Sequence, residues 1–475
     1  MSGRDESDPL ALAEYTPHVA AVLGDDERWP TLGAAGAERL ERLRRHPHAP
    51  TWTHATGDRL TAEQVERTRH PLPLDGWLEE HLARARRLLH YRERRDRGGL
   101  AELADFPTIS RADLVHDIAA FVPLDADYGR MLHGTSSGST GAALVLPDDV
   151  EEVARGFHLL VDLVRAEGVD WRPDGERMAI AHVVHQRQAF TYASVISGFD
   201  QRTMARVNLH QGQWPAGATR RAFLLDQDPQ VITGDPTSLA ELLAPDLRDA
   251  VRPLALFSGA MALAAPLRAE LEAAFGCPVF DVYGLHETRP IGVRTDDGPF
   301  RVLGRRVLVE TLDADGAPVA DGDVGEIVVT AGENPLLPLV RYRTGDHGRI
   351  VRLPDGAVGI ADLEGREHTR FLAGDGSLVA CVDLTQLLQA NGAHGWTVDQ
   401  DAAGDVRATI AGGDADAAAR ALEALLGRPV PVRRVPRLGD LGEGKPRRYR
   451  SAAAAGHPAA HPNRRSAKHP DRLAR

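Results

Sequence analysis

The sequence predicts an α/β protein with a large N-terminal core of layered, mostly parallel sheets and a small C-terminal α+β lid. Apolar strands alternate with amphipathic helices between residues 178 and 283, which is the pattern of a parallel sheet covered by helices. Short alternating strands with Asp-Gly turns run from Val307 to Val351, which predicts a small antiparallel sheet or β-barrel-like subdomain. Beyond Gly365, strands and helices alternate again over the size of a small domain.

The chain is long enough to form several domains, because its 475 residues exceed what one hydrophobic core usually organises. Changes in composition and in periodicity give four segments. We expect a helical lead-in packed on the core at 1–105, the large core at 106–364, the lid at 365–450 and a disordered tail at 451–475.

Charge and cysteine content exclude several classes of protein. A net charge of −12 argues against a nucleic-acid-binding surface, which normally carries a basic excess. No apolar run is long enough to span a membrane or to act as a secretory signal, so we expect no membrane association. Cys277 and Cys381 fit neither a disulfide framework nor a zinc site, which indicates a reducing, cytoplasmic compartment.

The elements of the lead-in and of the first part of the core follow from local signals. Arg/Glu-rich segments separated by Pro-rich joints predict helices up to residue 105, and Ser110 is the expected cap of a helix over 110–118. Asp148 is the expected cap of a long helix, in which apolar residues recur from Val150 to Val164 with the helical period.

The parallel sheet and the lid are read from the same patterns. Predicted core strands cover 178–184, 231–233, 254–257 and 279–283, and predicted core helices cover 237–243 and 263–275. In the lid we expect strands over 377–382, 396–400, 406–410 and 430–435 and helices over 383–389 and 415–426. Ligands of parallel sheets bind beyond the carboxyl ends of the strands, where Thr233-Gly234, Ser258-Gly259 and Tyr283-Gly284 fall.

A run of seven small residues, from Thr135 to Gly141, separates two apolar segments. Gly138 and Gly141 can adopt φ > 0, and the hydroxyls of Ser136, Ser137, Ser139 and Thr140 add to the exposed amides of the loop. Such a loop fits the oxygens of a phosphate, although the same composition is also typical of a solvated turn. It is not a Walker loop, because no Gly-Lys-Ser/Thr follows the glycines.

Four further motifs follow this loop in order, and together the five resemble the adenylate-forming enzymes. They are D-V-Y-G-L-H-E at 281–287, Y-R-T-G-D at 342–346, G-R at 365–366 and G-K at 444–445. The words LHYRER, DFPTISRADL and TGDPTSL add a resemblance to the phenylacetate-CoA ligase branch, which covers about residues 85 to 450. The resemblance implies that the lid is mobile.

The resemblance also implies a role for each motif. Thr135 to Gly141 would hold phosphate, while Asp281, Tyr283 and Gly284, with Gly259 and Ala260, would line the adenine. Glu287 would hold Mg²⁺ against triphosphate oxygens. Asp346 would accept the ribose hydroxyls, Arg366 would reach ribose or phosphate, and Lys445 would stabilise charge during adenylation. ATP, Mg²⁺ and CoA are the expected cofactors, with Lys445, Glu287 and Arg366 as catalytic residues.

Each of these residues could also have a purely structural role. Tyr283 could be a buried tyrosine at a strand end, Glu287 a helix N-terminal acid, and Asp346 an Asx residue of a turn. Arg366 could lie on the surface, and Lys445 could belong to a basic tail. The order of five motifs favours the functional readings. The stretch 182–210 is expected to line the substrate pocket, with His182, His185 and Tyr192 as candidates.

Three departures from the family pattern bear on the acceptor. Ala142 and Ala143 follow the Ser/Gly loop where the family usually has a lysine, and Gly259-Ala260 replaces the family's Gly-Glu. At the hinge, Arg366-Glu367-His368-Thr369 replaces Arg-x-Asp-Asp. Because the nucleotide residues are kept and the hinge is changed, adenylation is better supported than transfer to CoA.

These observations predict an ATP-dependent ligase that activates a small aromatic carboxylic acid as an acyl-AMP, releases pyrophosphate and passes the acyl group to an acceptor such as CoA. An alternative is a diazotase of natural-product biosynthesis, which would activate nitrite as an AMP anhydride and join it to an aromatic amine such as an aminobenzoate. A third possibility is a non-catalytic nucleotide-binding protein, against which Glu287, Asp346 and Lys445 argue.

Overall fold

The structure is a computed structural model that describes residues 23–127, 131–136, 144–173, 177–187, 189–365, 369–442 and 448–453. The helices are α1 (Asp25–Arg28), α2 (Ala34–Arg44), α3 (Ala62–Thr68), α4 (Trp77–Ala85), α5 (Arg92–Asp96), α6 (Arg111–His116), α7 (Val150–Ala166), α8 (Arg220–Gln227), α9 (Pro236–Glu241), α10 (Ala265–Phe275), α11 (Cys381–Ala390) and α12 (Ala415–Leu426). The strands are β1 (Leu132–Ser136), β2 (Leu144–Asp148), β3 (Ile180–Val184), β4 (Tyr192–Ile196), β5 (Arg202–Asn208), β6 (Val231–Gly234), β7 (Ala255–Ser258), β8 (Val279–Leu285), β9 (Arg289–Arg294), β10 (Phe300–Val302), β11 (Val307–Leu312), β12 (Val324–Ala331), β13 (Leu339–Arg352), β14 (Val358–Glu364), β15 (Arg370–Leu372), β16 (Leu378–Ala380), β17 (Ala393–Gln400), β18 (Val406–Gly412), β19 (Val432–Val435) and β20 (Tyr449–Ser451).

A 12-stranded sheet organises the core, with the strand order β11-β12-β13-β14-β10-β9-β8-β7-β6-β3-β5-β4. The five strands from β8 to β5 pair in parallel. The predicted α/β core is therefore confirmed, but the sheet is mixed and not mostly parallel, because its other strand pairs are antiparallel. Five strands of this sheet are missing from the sequence prediction, namely β4, β5, β9, β10 and β14. β4 closes one edge of the sheet as an antiparallel strand.

The antiparallel pairing predicted for the strands of 307–351 is confirmed, but these strands continue the main sheet and the described strands form no closed, barrel-like subdomain. β11, β12, β13 and β14 form an antiparallel wing, and β10 joins the wing to β9. Among the described strands the order is open, with β11 at one end and β4 at the other. Local alternation cannot reveal this arrangement, because the junction pairs Phe300 with Ile360, 60 residues further along the chain.

The Y-R-T-G-D motif lies within a strand and not in a turn. β13 runs without interruption through the motif, and its pairing with β12 shifts register between Glu326 and Val328. Gly345 takes a φ of +79°, which an irregularity of this kind requires. Arg343 Nε donates to Glu326 Oε2 at 2.9 Å, and the amide of Gly345 donates to Glu326 Oε1 at 3.2 Å. Because of this bulge, Asp346 lies outside the regular pairing of β12 with β13.

Helices cover both faces of the parallel strands. On one face, α2, α8, α9 and α10 enclose a core that includes Leu40, Phe223, Leu239 and Leu267. On the other face, α7 packs with Trp171 and Phe257. The N-cap of α7 is Asp149, whose Oδ1 accepts from the amides of Glu151 and Glu152, and not Asp148 as expected. Asp148 ends β2 instead.

The described part of the lead-in, residues 23–105, is largely helical, as predicted. It is tied to the core by buried hydrogen bonds. Trp29 Nε1 donates to the carbonyl of Val195 at 2.9 Å, and His81 Nε2 lies 2.9 Å from the carbonyl of Leu339. The cap of α6 is also as predicted, since Ser110 Oγ and its amide both donate to Asp113 Oδ2 at 2.7 Å.

The C-terminal segment forms its own four-stranded sheet in the order β19-β18-β17-β20, with α11 and α12 packed on it. It contacts the core through α10, where His394 Nε2 lies 3.3 Å from Glu270 Oε2. The division of the chain into four domains remains a prediction, and most of the expected tail lies outside the described residues. None of the described helices has the length and apolarity needed to cross a bilayer.

Candidate active site

The carboxyl ends of β6, β7 and β8 meet at one edge of the sheet, as the sequence predicts. At this edge the amide of Gly259 donates to the carbonyl of Gly234 at 3.0 Å, which links the ends of β6 and β7. Ala260 follows with a φ of +64°, a conformation that strains a residue with a Cβ and is often found at functional sites. The loop after β7 is thus held in one defined conformation.

Tyr283 and Asp346, from two motifs separated in sequence, come together across the sheet. Tyr283 Oη donates to Asp346 Oδ2 at 3.0 Å, and both residues are largely buried. The backbone around Asp346 is fixed, because its amide donates to Thr344 Oγ1 at 3.0 Å and that hydroxyl donates to the carbonyl of Ile327 at 2.8 Å. Asp346 is therefore a preorganised acceptor beside an aromatic ring.

Gly284 is needed for this arrangement. A Cβ at this position would lie 2.4 Å from the carbonyl oxygen of Arg289 and 2.8 Å from Pro290 Cα, and both of these atoms belong to the backbone of the next strand. Any larger residue would push β8 and β9 apart. The glycine of the D-V-Y-G-L-H-E motif thus has a packing reason, independent of any ligand.

Glu287 lies in a buried ion pair that the sequence does not reveal. Its Oε1 is 2.6 Å from Arg111 Nη1 at the start of α6, and Tyr342 Oη donates to the same oxygen at 3.3 Å. Two motifs and α6 therefore meet at this carboxylate, whose side chain is only 2% exposed. The described residues contain no group of three or more His, Cys, Asp or Glu side chains that could hold a metal ion by themselves.

Asp281 is occupied by a neighbouring strand. Arg294 donates to Asp281 Oδ2 from Nε at 3.0 Å and from Nη2 at 2.8 Å. Burial raises the pKa of Asp281, and the positive charge of Arg294 opposes that rise. The structure thus gives Asp281 a fixed ion-pair partner, while its expected role beside adenine is not tested.

The hairpin of β1 and β2 brings the Ser/Gly loop to the end of β8. Thr135 pairs with Val145 and Ser136 with Leu144, while Ser137, Gly138, Ser139, Thr140 and Gly141 lie outside the described residues. The hairpin contacts the residue before Glu287, because a Cβ on Gly134 would lie 2.0 Å from His286 Nε2. The absence of a side chain at Gly134 makes room for this imidazole.

A buried cluster of charges anchors the same hairpin. His286 Nε2 lies 3.6 Å from Asp148 Oδ2, Arg289 forms an ion pair with Asp148, and Arg289 Nε lies 3.1 Å from Glu152 Oε2. Burial raises the pKa of Glu152 to about 7. This cluster was not predicted from the sequence, although His286 lies next to Glu287 in the D-V-Y-G-L-H-E motif.

The three residues that were predicted to line the substrate pocket lie in two different places. His182 and Tyr192 lie on one face of the sheet, because both are in register with Arg206 of β5. His182 Nδ1 is 2.8 Å from Thr233 Oγ1, and burial lowers the pKa of His182 to about 3. His185 lies beyond the end of β3, where it stacks with His210 at 5.7 Å between ring centroids. His185 is also 3.7 Å from Glu241.

Two predicted residues, Arg366 and Lys445, lie outside the described residues. The described residues nearest to them in sequence, Gly365 and Arg448, lie close to residues of the core. The position of a Cβ on Gly365 would be 4.0 Å from Asp346 Oδ1. Arg448 Nη2 donates to the carbonyl of Ala262 at 2.7 Å, just beyond the end of β7.

The family model and the known proteins that match this chain agree with one another. Residues 101–334 match the family model described as AMP-binding enzyme. The phenylacetate-coenzyme A ligase of Aromatoleum evansii is 26% identical over 321 residues, which is 62% of this chain and 68% of that protein. The corresponding ligase of Escherichia coli (strain K12) is 28% identical over 271 residues, covering 53% of this chain and 58% of that protein. The chain thus spans between one half and about two thirds of the length of these relatives.

A solved structure supports the same fold. The crystal structure of 2-hydroxyisobutyryl-CoA ligase in the postadenylation state, in complex with R3-HIB-AMP, aligns with a TM-score of 0.55 at 16% identity. The alignment covers 83% of this chain and 91% of that one. The predicted enzyme class, an AMP-forming ligase, agrees with these relatives. The family match and these relatives support the expected adenylate-forming superfamily and its phenylacetate-CoA ligase-like branch.

Proposed function

We propose that the protein is an ATP-dependent ligase that joins a small aromatic carboxylic acid to AMP, releases pyrophosphate and then passes the acyl group to CoA. The proposal agrees with the AMP-binding family match and with relatives named phenylacetate-coenzyme A ligase. The observation that carries it is the meeting of Tyr283, Asp346 and Glu287 at the carboxyl end of β8.

The contact between Tyr283 and Asp346 supports a ribose-binding role for Asp346. A carboxylate whose backbone is already fixed can accept two hydroxyl groups without a further loss of conformational entropy on binding. Tyr283 Oη donates to Asp346 Oδ2, and Asp346 Oδ1 lies on the side of Gly365. The loop of Gly259 and Ala260, with Gly284, would provide backbone around the base.

Triphosphate would bind between the β1–β2 hairpin and the end of β8. The Ser/Gly loop would supply amide and hydroxyl donors, and Arg111 would supply positive charge on the Glu287 side. One carboxylate at this place fits Mg²⁺, because that ion is usually held by one or two carboxylates together with substrate phosphates and water. Glu287 would hold the ion, which neutralises phosphate charge when bound.

The chemical step needs the acid carboxylate to attack the α-phosphorus while pyrophosphate leaves. Lys445 would stabilise the negative charge that develops on the transferred oxygens, and Arg366 would contact ribose or phosphate. Holding both reactants in line accounts for a large part of such catalysis. His182 and Tyr192 would line the part of the site that holds the acid.

A mass-spectrometric substrate assay tests this proposal. The purified protein is incubated with ATP, Mg²⁺ and a panel of aromatic acids, with CoA, without CoA, and with nitrite plus aminobenzoates. Acid-dependent release of AMP and pyrophosphate together with a CoA thioester is the expected result. Nitrite-dependent AMP and a diazo product would establish the diazotase instead, and ATP binding without any product would establish a non-catalytic nucleotide-binding protein.

A further inference from the structure

Arg448 crosses the boundary between the C-terminal segment and the core at the proposed nucleotide site. Its Nη2 donates to the carbonyl of Ala262 at 2.7 Å. Ala262 closely follows Gly259 and Ala260 in the loop that leaves the carboxyl end of β7. Arg448 therefore joins the C-terminal segment to the loop that is proposed to provide backbone around the base.

Arg448 is held firmly on its own side of this boundary. Its guanidinium carbon lies 4.8 Å from the centroid of the Trp396 ring, which is a cation–π distance. Trp396 is buried, and its Nε1 donates to Tyr449 Oη at 2.7 Å. The carbonyl of Arg448 accepts from the amide of Val398 at 2.7 Å, so both its backbone and its side chain are anchored on β17. Stacking of this kind fixes the plane of the guanidinium and leaves its edge to donate.

A carboxylate of the core also attracts Arg448. Burial raises the pKa of Asp281 and lowers that of Arg448, and the attraction between their opposite charges counteracts both shifts. Asp281 is in register with Ser258, the last residue of β7, so it lies at the same edge of the sheet as the loop that Arg448 contacts. Two features of the proposed adenine site thus hold the same guanidinium.

Apolar contacts also hold the C-terminal segment on the core. Val435 and Leu438 belong to a buried cluster of the core, and Ala264 of the core belongs to the buried cluster of the C-terminal segment. Apolar burial has no preferred direction, whereas a hydrogen bond depends on distance and angle. The contact of Arg448 with Ala262 therefore sets the position of the end of the segment, and not only its attachment.

The chain links this contact to the lysine that the adenylation step is proposed to use. Lys445 precedes Arg448 by three residues, and three residues of extended chain span at most about 11 Å. A contact that fixes Arg448 beside the end of β7 therefore also limits how far Lys445 can lie from that place. A displacement of about 1 Å in a catalytic site can slow a reaction by about a hundredfold.

We propose that Arg448 is a positioning residue for adenylate formation, which binds the carbonyl of Ala262 while stacked on Trp396 and thereby holds Lys445 at the nucleotide. This inference rests on the proposed adenylating function and deepens it. Arg448 acts through Lys445 and not by touching the acid or the phosphate that is transferred. Its loss slows the chemical step and leaves ATP binding nearly unchanged.

The test is a double-mutant cycle on the rate of acyl-AMP formation, measured by rapid quenching at saturating ATP for wild type, Arg448→Met, Lys445→Ala and the double variant. Arg450→Met is the matched control, because Arg450 lies on the adjacent β20 and its Nε is 2.7 Å from Asp399 Oδ1 of the same segment. Arg448→Lys keeps the positive charge and removes the planar fork. Calorimetry measures the ATP affinity of each variant.

We expect Arg448→Met to form acyl-AMP roughly ten to a hundred times more slowly than wild type, with an ATP affinity changed by less than about threefold. Arg450→Met should match the wild type, and Arg448→Lys should recover part of the rate. In the Lys445→Ala background, Arg448→Met should have little further effect, because the group that it positions is absent. Equal rates in wild type and Arg448→Met, or an additive loss in the double variant, overturns the inference.

Hydrogen exchange keeps the inference separate from the proposed function. If the wild type forms acyl-AMP with no acid, the proposed function fails, and amide exchange over 259–264 and 396–400 then decides about Arg448 alone. Faster exchange in Arg448→Met than in wild type and Arg450→Met supports its positioning role at the boundary. Equal exchange in the three proteins overturns that role. Circular dichroism verifies folding, and Arg448→Gln replaces Arg448→Met if that variant does not fold.

Discussion

Asp346 and Tyr283 show how single residues set the geometry of the proposed nucleotide site. Neither residue is free to reorient, since the Asp346 amide is bound to Thr344 and its carboxylate to Tyr283. A ligand hydroxyl would meet an acceptor that is already in place. The contribution of each group can therefore be read from conservative substitutions without a large rearrangement of the backbone.

We predict that Asp346→Ala weakens ATP binding by about 1 to 3 kcal/mol, the usual scale for hydrogen bonds to a charged group. Tyr283→Phe is the matched control, because it removes one hydroxyl and leaves the carboxylate. Its effect should be the smaller of the two. Isothermal calorimetry with ATP measures both values, and an Asp346→Ala variant with wild-type affinity would remove Asp346 from the nucleotide site.

For individual residues, the structure explains which members of the candidate site could be predicted from the sequence. Tyr283, Glu287 and Asp346 were identified because they belong to motifs, and the structure brings them together. Arg111 was not identified, because nothing local distinguishes it from the other arginines of an arginine-rich chain. Its importance comes from a partner far away in sequence, Glu287, which lies 176 residues later.

Among the secondary-structure elements, the contact between the β1–β2 hairpin and the end of β8 matters most for the site. Gly134 of β1 leaves just enough room for the His286 ring, which also faces Asp148 of β2. This contact determines where the Ser/Gly loop begins relative to Glu287. A change in the hairpin position should therefore alter phosphate binding and protein stability together.

We predict that Gly134→Ala destabilises the protein by about 1 to 3 kcal/mol, because its Cβ would overlap with the His286 ring. Combining it with His286→Ala should recover most of this loss, since the smaller side chain removes the overlap. Urea unfolding of the two single variants and the double variant measures the coupling. Additive effects would show that Gly134 and His286 do not contact each other as described.

The contact between α4 and β13 gives a prediction about pH. Burial lowers the pKa of His81 to about 4, below its ordinary value of 6.5. Because the unfolded chain binds a proton more readily, stability is unaffected above pH 6.5 and falls as the pH drops from 6.5 towards 4.

The size of this pH effect follows from the two pKa values. Between pH 7.5 and pH 5.0 the loss attributable to His81 is about 2 kcal/mol, before allowance for solvent penetration. Urea unfolding at both pH values should show a smaller pH dependence for His81→Gln than for wild type. His70→Gln, at an exposed position, is the control. An unchanged pH dependence in His81→Gln would mean that this imidazole is not buried in the folded protein.

Local patterns predicted most elements but not their pairing. The alternation of strands and helices gave the parallel strands β6, β7 and β8 and the lid helix α12, because each depends on residues within one segment. The wing was predicted as a separate antiparallel sheet or barrel-like subdomain, because its connection through β10 and β14 is non-local. β5 was missed because arginines at positions 202 and 206 interrupt its apolar pattern.

In the whole molecule, the C-terminal segment is docked on the core in the structure. Val435 and Leu438 belong to the same buried cluster as α9 and α10, and Arg448 contacts Ala262. Transfer of an acyl group to CoA in this family involves a large rotation of the lid about its hinge. At the hinge, His368 and Thr369 depart from the family pattern, and residues 366–368 lie outside the described residues.

We predict that CoA accelerates turnover only weakly, because His368 replaces the usual hinge aspartate and the thioester conformation is poorly populated. His368→Asp should increase the CoA-dependent rate and leave adenylate formation unchanged. Steady-state AMP release with and without CoA measures the effect. Rapid thioester formation by the wild type would contradict this prediction and restore an ordinary CoA ligase.

We predict that this protein forms an acyl-adenylate with the help of Lys445, and rapid quenching with mass spectrometry measures the formation of this intermediate. The chain has two lysines, Lys445 and Lys468, so Lys468→Ala is a matched control. Wild type and Lys468→Ala should accumulate acyl-AMP, while Lys445→Ala should bind ATP normally and form the adenylate slower by roughly two to three orders of magnitude. Equal rates of acyl-AMP formation in all three proteins, or no acyl-AMP in the wild type with any acid, would contradict the claim.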